Sequence, residues 1–310
     1  DYGTFTFTDG ILELNDMSLR LNSAANDFSS TSATRSVFRG STLSDLHLFG
    51  PGNLGSTIYF IADGGDADAQ VLENFRVNRT GGNSRDNEVN MGSNLRVDGD
   101  LHLEYGRLDL SNNTAHIFNI NGTLTRNDAD PTIQKVSNDG GLIGGAGNAN
   151  ITIGNGNTSQ INIFFDDANT ANRTIRNFNI QRVNNGVVPS TVLRSELRTD
   201  GTLTIATGAT FDLEVNKAGA ASTSSRGLLI FGTLAGDGLM QGSFTEDIMC
   251  QGVIGGSLRF EAGARELRSL IFWNGTNTTV ALGTDLTIGN PAALNEMYLD
   301  LSLNNTRNST

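Results

Sequence analysis

Residues 95–127 read LRVDGDLHLEYGRLDLSNNTAHIFNINGTLTRN. Apolar residues alternate in short runs: Leu95 with Val97, Leu101 with Leu103, Leu108 with Leu110, Phe118 with Ile120, then Leu124. Successive strand side chains point to opposite faces, so each run turns its apolar residues inward and Arg96, His102, Asp109 and Asn119 outward. Gly99, Gly106, Asn112-Asn113 and Asn121-Gly122 separate the runs, and such residues tolerate positive φ and let the chain turn a corner. One strand of this kind buries too little to stand alone, so the pattern predicts strands stacked on strands.

The same phrases recur outside this stretch. Asp9-Gly-Ile-Leu-Glu-Leu, Tyr105-Gly-Arg-Leu-Asp-Leu and Thr207-Gly-Ala-Thr-Phe-Asp-Leu place glycines at 10, 106 and 208, 96 and 102 residues apart. A second phrase reads Leu72-Glu-Asn-Phe-Arg-Val-Asn-Arg, Ile175-Arg-Asn-Phe-Asn-Ile-Gln-Arg and Leu267-Arg-Ser-Leu-Ile-Phe-Trp-Asn. Glycine-rich leads at Gly50, Gly140 and Gly236 open each copy. The repetition predicts one continuous solenoid over 1–310 built from degenerate units of about 90–100 residues. Its divisions are 1–39 (the tail of a preceding unit), 40–135, 136–235 and an incomplete 236–310, so the chain is expected to be part of something longer. Polar stretches at 23–36, 63–70, 83–87 and 218–225 are expected to leave the coil as loops.

Composition agrees with an all-β protein. The chain has 37 Gly against 4 Pro, which suits many tight turns and little helix. A net charge of −12 with no run of Lys or Arg argues against a nucleic-acid partner. Cys250 is the single cysteine, which excludes an internal disulfide and any multi-cysteine zinc site, and it is expected to be a buried thiol. No apolar run of membrane-spanning length is present, and DYGTFTFTDG lacks the features of a signal peptide. A secretion signal would therefore lie outside this chain.

These phrases resemble the β-strand-repeat surface proteins of the Bacteroidota, long chains exported by the type IX route. The resemblance rests on LENFRVNRT at 72–80, MGSNLRVDGDLHLEYGRLDL at 91–110, GLIGGAGNANITIGN and TIRNFNIQR in the second copy, and LRSLIFWNG and ALGTDLTIGN in the third. It covers nearly the whole chain and is specific for an architecture, not a chemistry. The third copy departs from it with Trp273-Asn274, and a C-terminal sorting domain is missing. The resemblance implies an extracellular or cell-surface β-solenoid acting in adhesion, coating or filament building, with no catalytic residues to carry over.

Individual residues point to little chemistry. His47, His102 and His116 share no metal-ligand spacing and are expected on the solvated surface. The acids Asp63, Asp66 and Asp68, Asp128 with Asp130, and Asp166-Asp167 are expected as turn residues, with weak calcium binding and glycoside hydrolysis as the alternatives. N-x-S/T sequons, among them Asn78, Asn121, Asn150 and Asn172, would be surface glycan acceptors in a eukaryotic protein. Phe164-Phe165, Phe231, Phe272 and Trp273 are expected as stacked core, with an exposed glycan-stacking platform as the alternative. No cofactor, metal or catalytic residue is assigned.

The expected fold is thus a parallel β-solenoid, a right-handed β-helix of twelve to fifteen coils at ~20–25 residues each. The expected function is a structural or adhesive rod or fibre subunit at the cell surface, docking head to tail with copies of itself, with surface glycans as further partners and no insertion into a membrane. The alternatives are a carbohydrate-active β-helix enzyme and a glycan- or ice-binding module, the last only loosely supported by Thr123, Thr125, Thr202 and Thr204.

Overall fold

The computed structural model describes residues 7, 9–22, 36–52, 54, 56–80, 87–111, 116–126, 141–156, 159–166, 169–183, 191–214, 227–272, 279–289 and 298–300. Among these the regular elements are all β-strands, and the strands pair in parallel sheets. Only an isolated bridge, Val183 to Ala209, runs antiparallel among the described pairings. The fold is the all-β parallel solenoid that the alternation predicts. The chain divides into two compact units, one comprising Asp1–Pro131, Lys135–Asn157 and Phe164–Arg176, the other Thr132–Gln134, Thr158–Ile163 and Asn177–Thr310.

In the first unit the coils between Thr57 and Arg126 each contribute one strand to each of three sides. One coil supplies Glu88–Met91, Leu95–Val97 and Asp100–Tyr105, and the next supplies Arg107–Asp109, Ile117–Ile120 and Thr123–Arg126. On the third side Leu46, Phe75, Leu101 and Leu124 lie opposite one another, as do Leu48, Val77 and Leu103, and all seven are buried. Every apolar residue of the 95–124 runs is buried with them. Each such ladder contributes on the order of 1.5–3 kcal/mol per fully buried side chain before the entropy of ordering is set against it.

Coil length departs from expectation. Successive residues of the Leu46 ladder are 29, 26 and 23 positions apart. In the second unit Leu197, Leu228, Ile248 and Leu270 are 31, 20 and 22 apart. Coils therefore run from 20 to 31 residues where ~20–25 are expected. The reason is that polar loops lengthen individual turns without adding a rung. The stretch 63–70 is such a loop of turns. The predicted loop at 218–225 and most of those at 23–36 and 83–87 lie outside the described residues.

The repeated phrases prove to be a grammar of coil-to-coil hydrogen bonds. Asn74 and its counterpart Asn177 accept, through Oδ1, the backbone N–H that opens the same side of the next coil, from Asp100 at 2.9 Å and Thr202 at 2.8 Å. Ser93 and its counterpart Thr284 accept the N–H of Phe60 and of Phe260, both at 2.8 Å. Arg96 and Arg198 each fold onto the aspartate two residues on, Asp98 at 2.9 Å and Asp200 at 2.5 Å. Polar residues repeat because parallel strands leave corner amides unpaired, and a buried corner amide without an acceptor is costly.

Two kinds of glycine were predicted to be one. Gly10, Gly106 and Gly208 have φ of +106°, +92° and +83°, a region closed to most L-residues, as the corner reading requires. Gly99 and Gly122 are not in that region. They are glycines because the coils touch there: a Cβ on Gly122 would lie 1.5 Å from the Gly99 carbonyl oxygen.

Candidate functional site

The third side of the first unit carries a dense set of polar side chains on its outward face. Its strands are Ser18–Asn22, Asp45–Pro51, Asn74–Thr80, Asp100–Tyr105 and Thr123–Arg126. Alternation sends every second residue outward, and parallel register aligns the outward residues into columns with rungs about 4.8 Å apart.

One column consists of Arg20, His47, Arg76, His102 and Thr125. Beside it runs Asn22, Phe49 and Asn78, with Tyr105 beyond a register shift. On the other flank Ser18 donates to Asp45 at 2.5 Å and Asn74 donates to the same carboxylate at 2.9 Å. Asp100 accepts from Thr123 at 2.9 Å and from Thr125, whose hydroxyl also contacts His102 Nδ1 at 3.0 Å. The flank is therefore closed on itself, and the cationic column is less so. Arg76 is bound by Glu104. Arg20 is exposed and has no acid partner among the described residues.

Phe49 organises the cations. The guanidinium carbon of Arg20 lies 5.0 Å from its ring centroid and that of Arg76 5.5 Å, while His47 meets the ring edge-on at 6.0 Å. Stacking of this kind fixes a guanidinium plane and leaves the in-plane N–H donors free. Next to the ring opens a groove of about 560 Å³ lined by Arg20, Asn22, Phe49, Asn78 and Thr80 along a Gly50-Pro51 wall.

The wall is held from below by a buried arginine. Arg79 is fully buried and donates to three carbonyls of the preceding coil, Phe49 at 2.5 Å, Gly52 at 2.9 Å and Pro51 at 3.0 Å. Its counterpart in the second copy, Arg182, is equally buried and donates to the Ser159 carbonyl at 2.9 Å. Burial lowers the pKa of both, that of Arg182 to about 10, which leaves Arg182 charged at neutral pH. The third copy has Asn274 at this place, outside the described residues.

The histidines differ from the solvated surface expected of them: all three are half-buried. The cause is the tight rung spacing, which shields each outward side chain with the one above and below. Among the described residues His47 Nδ1 is buried without a hydrogen-bond partner, and burial lowers its pKa from 6.5, with Arg20, Arg76 and His102 adding to the effect and Asp45 opposing it. The folded form therefore takes up a proton less readily than the unfolded chain, so it loses stability as the pH falls below about 6.5 and not above it. The difference in melting temperature between the wild type and His47→Gln should be constant above that pH and shift against the wild type below it. Melting curves between pH 5 and pH 8 check this, and a flat difference would exclude His47 as a source of acid sensitivity.

The acids are largely engaged by arginines. Arg39 binds Asp63 at 2.6 Å and Asp66 at 3.1 Å, and Arg96 reaches Asp68 at 3.4 Å. The Gly65 N–H, then Arg39, hold the Asp63 carboxyl below its ordinary range. Asp166 accepts from Arg107 at 3.0 Å, the same guanidinium that binds Glu88 at 2.5 Å, and from Asn172. Asp128, Asp130 and Asp167 lie outside the described residues. Among the described residues no group of three or more His, Cys, Asp or Glu is placed to hold a metal ion.

Other expected sites resolve differently. Three sequon asparagines use their amide nitrogens internally: Asn121 donates to Asp98 at 2.7 Å, Asn150 to the His116 carbonyl at 3.0 Å, and Asn172 to Asp166. Phe164 and Phe165 are core, as expected. Phe231 instead lies half-exposed beneath Arg198, whose guanidinium carbon is 4.0 Å from the ring centroid, and Phe272 is also half-exposed. Trp273 falls outside the described residues. Cys250 is buried, as its expected role as a small hydrophobe requires, and burial raises its thiol pKa to about 12.

Asn78 and Thr80 belong to the repeated phrase at 72–80 and Gly50 to a glycine-rich lead, whereas Arg20, Asn22 and Phe49 carry no motif. Arg20, Phe49 and Asn78 come together only through register across three coils. Comparison with protein-family models, with curated proteins and with solved structures finds no match to this chain.

Proposed function

We propose that this chain is an extracellular structural or adhesive β-solenoid, a cell-surface rod or fibre subunit that assembles head to tail. The supporting observation is how its repeated residues are used: Asn74 with Asn177, Ser93 with Thr284 and Arg79 with Arg182 all bind one coil to its neighbour. A sequence that repeats its stacking contacts is one under selection to stack. The resemblance to type IX-secreted repeat proteins of the Bacteroidota points the same way.

Self-assembly follows from the sheet edges. Among the described residues, Ser18–Asn22 ends its sheet and pairs on one edge with Asp45–Pro51, and an open parallel edge is a template for another strand. Ile11, Met17 and Leu43 are exposed apolar residues near that end, at 47%, 70% and 63%, which favours cover by a second copy. We also propose that the chain is not an enzyme, because Asp63, Asp66 and Asp166 are bound to arginines and not poised opposite a free partner carboxylate.

Electron microscopy of the purified chain, alongside light scattering over a wide concentration range, tests the assembly. Filaments with a regular axial repeat are expected. Monodisperse single chains at every concentration would refute head-to-tail docking.

A further inference from the structure

We propose that the groove beside Phe49 binds an acidic glycan, a chain of sugars bearing carboxylates, with Arg20 as the residue that recognises the carboxylate. This goes beyond the structural role, since a chain could bind such a glycan without assembling, or assemble without binding.

The chemistry of the lining selects the ligand class. Arg20 is an exposed cation without an acid partner among the described residues, on a protein whose net charge is −12. Its guanidinium carbon lies over Phe49, 5.0 Å from the ring centroid, and guanidinium donors match the two oxygens of a carboxylate. The neighbouring cation, Arg76, is already satisfied by Glu104, so the anion is directed to Arg20.

The rest of the groove suits hydroxyls. Asn22 and Asn78 stand in register on either side of Phe49, and Thr80 lies beyond, so amide and hydroxyl groups flank the aromatic edge. A space of about 560 Å³ holds more than one sugar ring. A small apolar ligand would find little enclosure there.

The wall is also preorganised. Arg79 ties down the carbonyls of Phe49, Pro51 and Gly52, so the groove does not have to be ordered when ligand binds. Arg198 also stacks on a phenylalanine, Phe231, but is bound to Asp200 at 2.5 Å.

Calorimetric titration of the folded full chain with a galacturonic acid tetramer tests the site, with a neutral maltotetraose and a sulfated oligosaccharide as comparison ligands. Saturable binding of the galacturonate is expected, with little for the neutral sugar. Arg20→Ala and Phe49→Ala should each weaken it about tenfold or more, while Arg198→Ala leaves it unchanged; circular dichroism confirms that each variant is folded. No saturable binding, equal affinity for the neutral tetramer, or an Arg20→Ala variant that binds like the wild type would overturn the proposal. Preference for the sulfated ligand would overturn the carboxylate assignment. The readout is binding by dispersed chains, so its failure is distinct from a failure to form filaments.

Discussion

Replacing Gly122 or Gly232 by alanine is expected to cost more than about 4 kcal/mol, among the largest effects a single methyl group can produce. The added Cβ would lie 1.5 Å from the Gly99 carbonyl oxygen in the first case and 1.7 Å from the Gly201 carbonyl oxygen in the second. Both obstacles are backbone, so no side-chain rotation relieves them. Moving them breaks the ladder, because Thr123 N–H donates to that same Gly99 carbonyl and Thr233 N–H to that of Gly201, each at 2.7 Å. The contrasting case is Gly252→Ala. There φ is +84° but a Cβ meets nothing within 4 Å, so the loss is the conformational one, about 1–2 kcal/mol. Thermal unfolding with hydrogen exchange at the two corners separates them. A Gly122→Ala variant within about 1 kcal/mol of the wild type would show that the coils are not stacked this closely.

These glycines mark where the sequence stops being readable. The alternation from Leu95 to Leu124 specifies which residues point inward, because the strand period is fixed by covalent geometry, and every one of them is buried. Gly106 and Gly208 are legible as corners because their requirement is local. Gly99 and Gly122 look identical to them in sequence, but what constrains them is another coil. The distance along the chain to that coil varies, being 29, 26 and 23 residues on one side, so no fixed spacing reveals the neighbour.

The same limit governs the candidate groove. The phrase ending Val77-Asn78-Arg79 marked a repeat without saying what its polar residues do. Arg79 turns inward and under the preceding coil, while Asn78 turns outward beside Phe49. Arg20 and Phe49 belong to no phrase. Their contact depends on a register between Ser18–Asn22 and Asp45–Pro51 that crosses a loop mostly outside the described residues. Charge gives no hint either, since an exposed arginine is invisible against 33 acidic residues.

Arg79→Met is expected to cost about 3 kcal/mol, and Arg182→Met is expected to be strongly destabilising as well. Swapping both partners of a buried polar contact for apolar groups is often nearly neutral, but here the carbonyls cannot be removed. Truncation leaves the Phe49, Pro51 and Gly52 carbonyls without the donor that now reaches them at 2.5, 3.0 and 2.9 Å. Each hydrogen bond from a charged donor is worth about 1.5–3 kcal/mol, and relief of the cost of burying the cation returns part of the sum. Arg79→Lys keeps the charge but offers a single compact head in place of a planar fork spanning three acceptors, so it should recover less than half of the loss. In a stacked array the damage is local before it is global. Hydrogen exchange should therefore quicken first in Asp45–Pro51 for the Arg79 variants and near Ser159 for Arg182→Met, with protection in Asp247–Cys250 unchanged in the Arg79 variants. Chemical unfolding gives the magnitude. Arg79→Met with wild-type stability and wild-type exchange at 49–52 would mean that the repeated arginine does not hold one coil to the next.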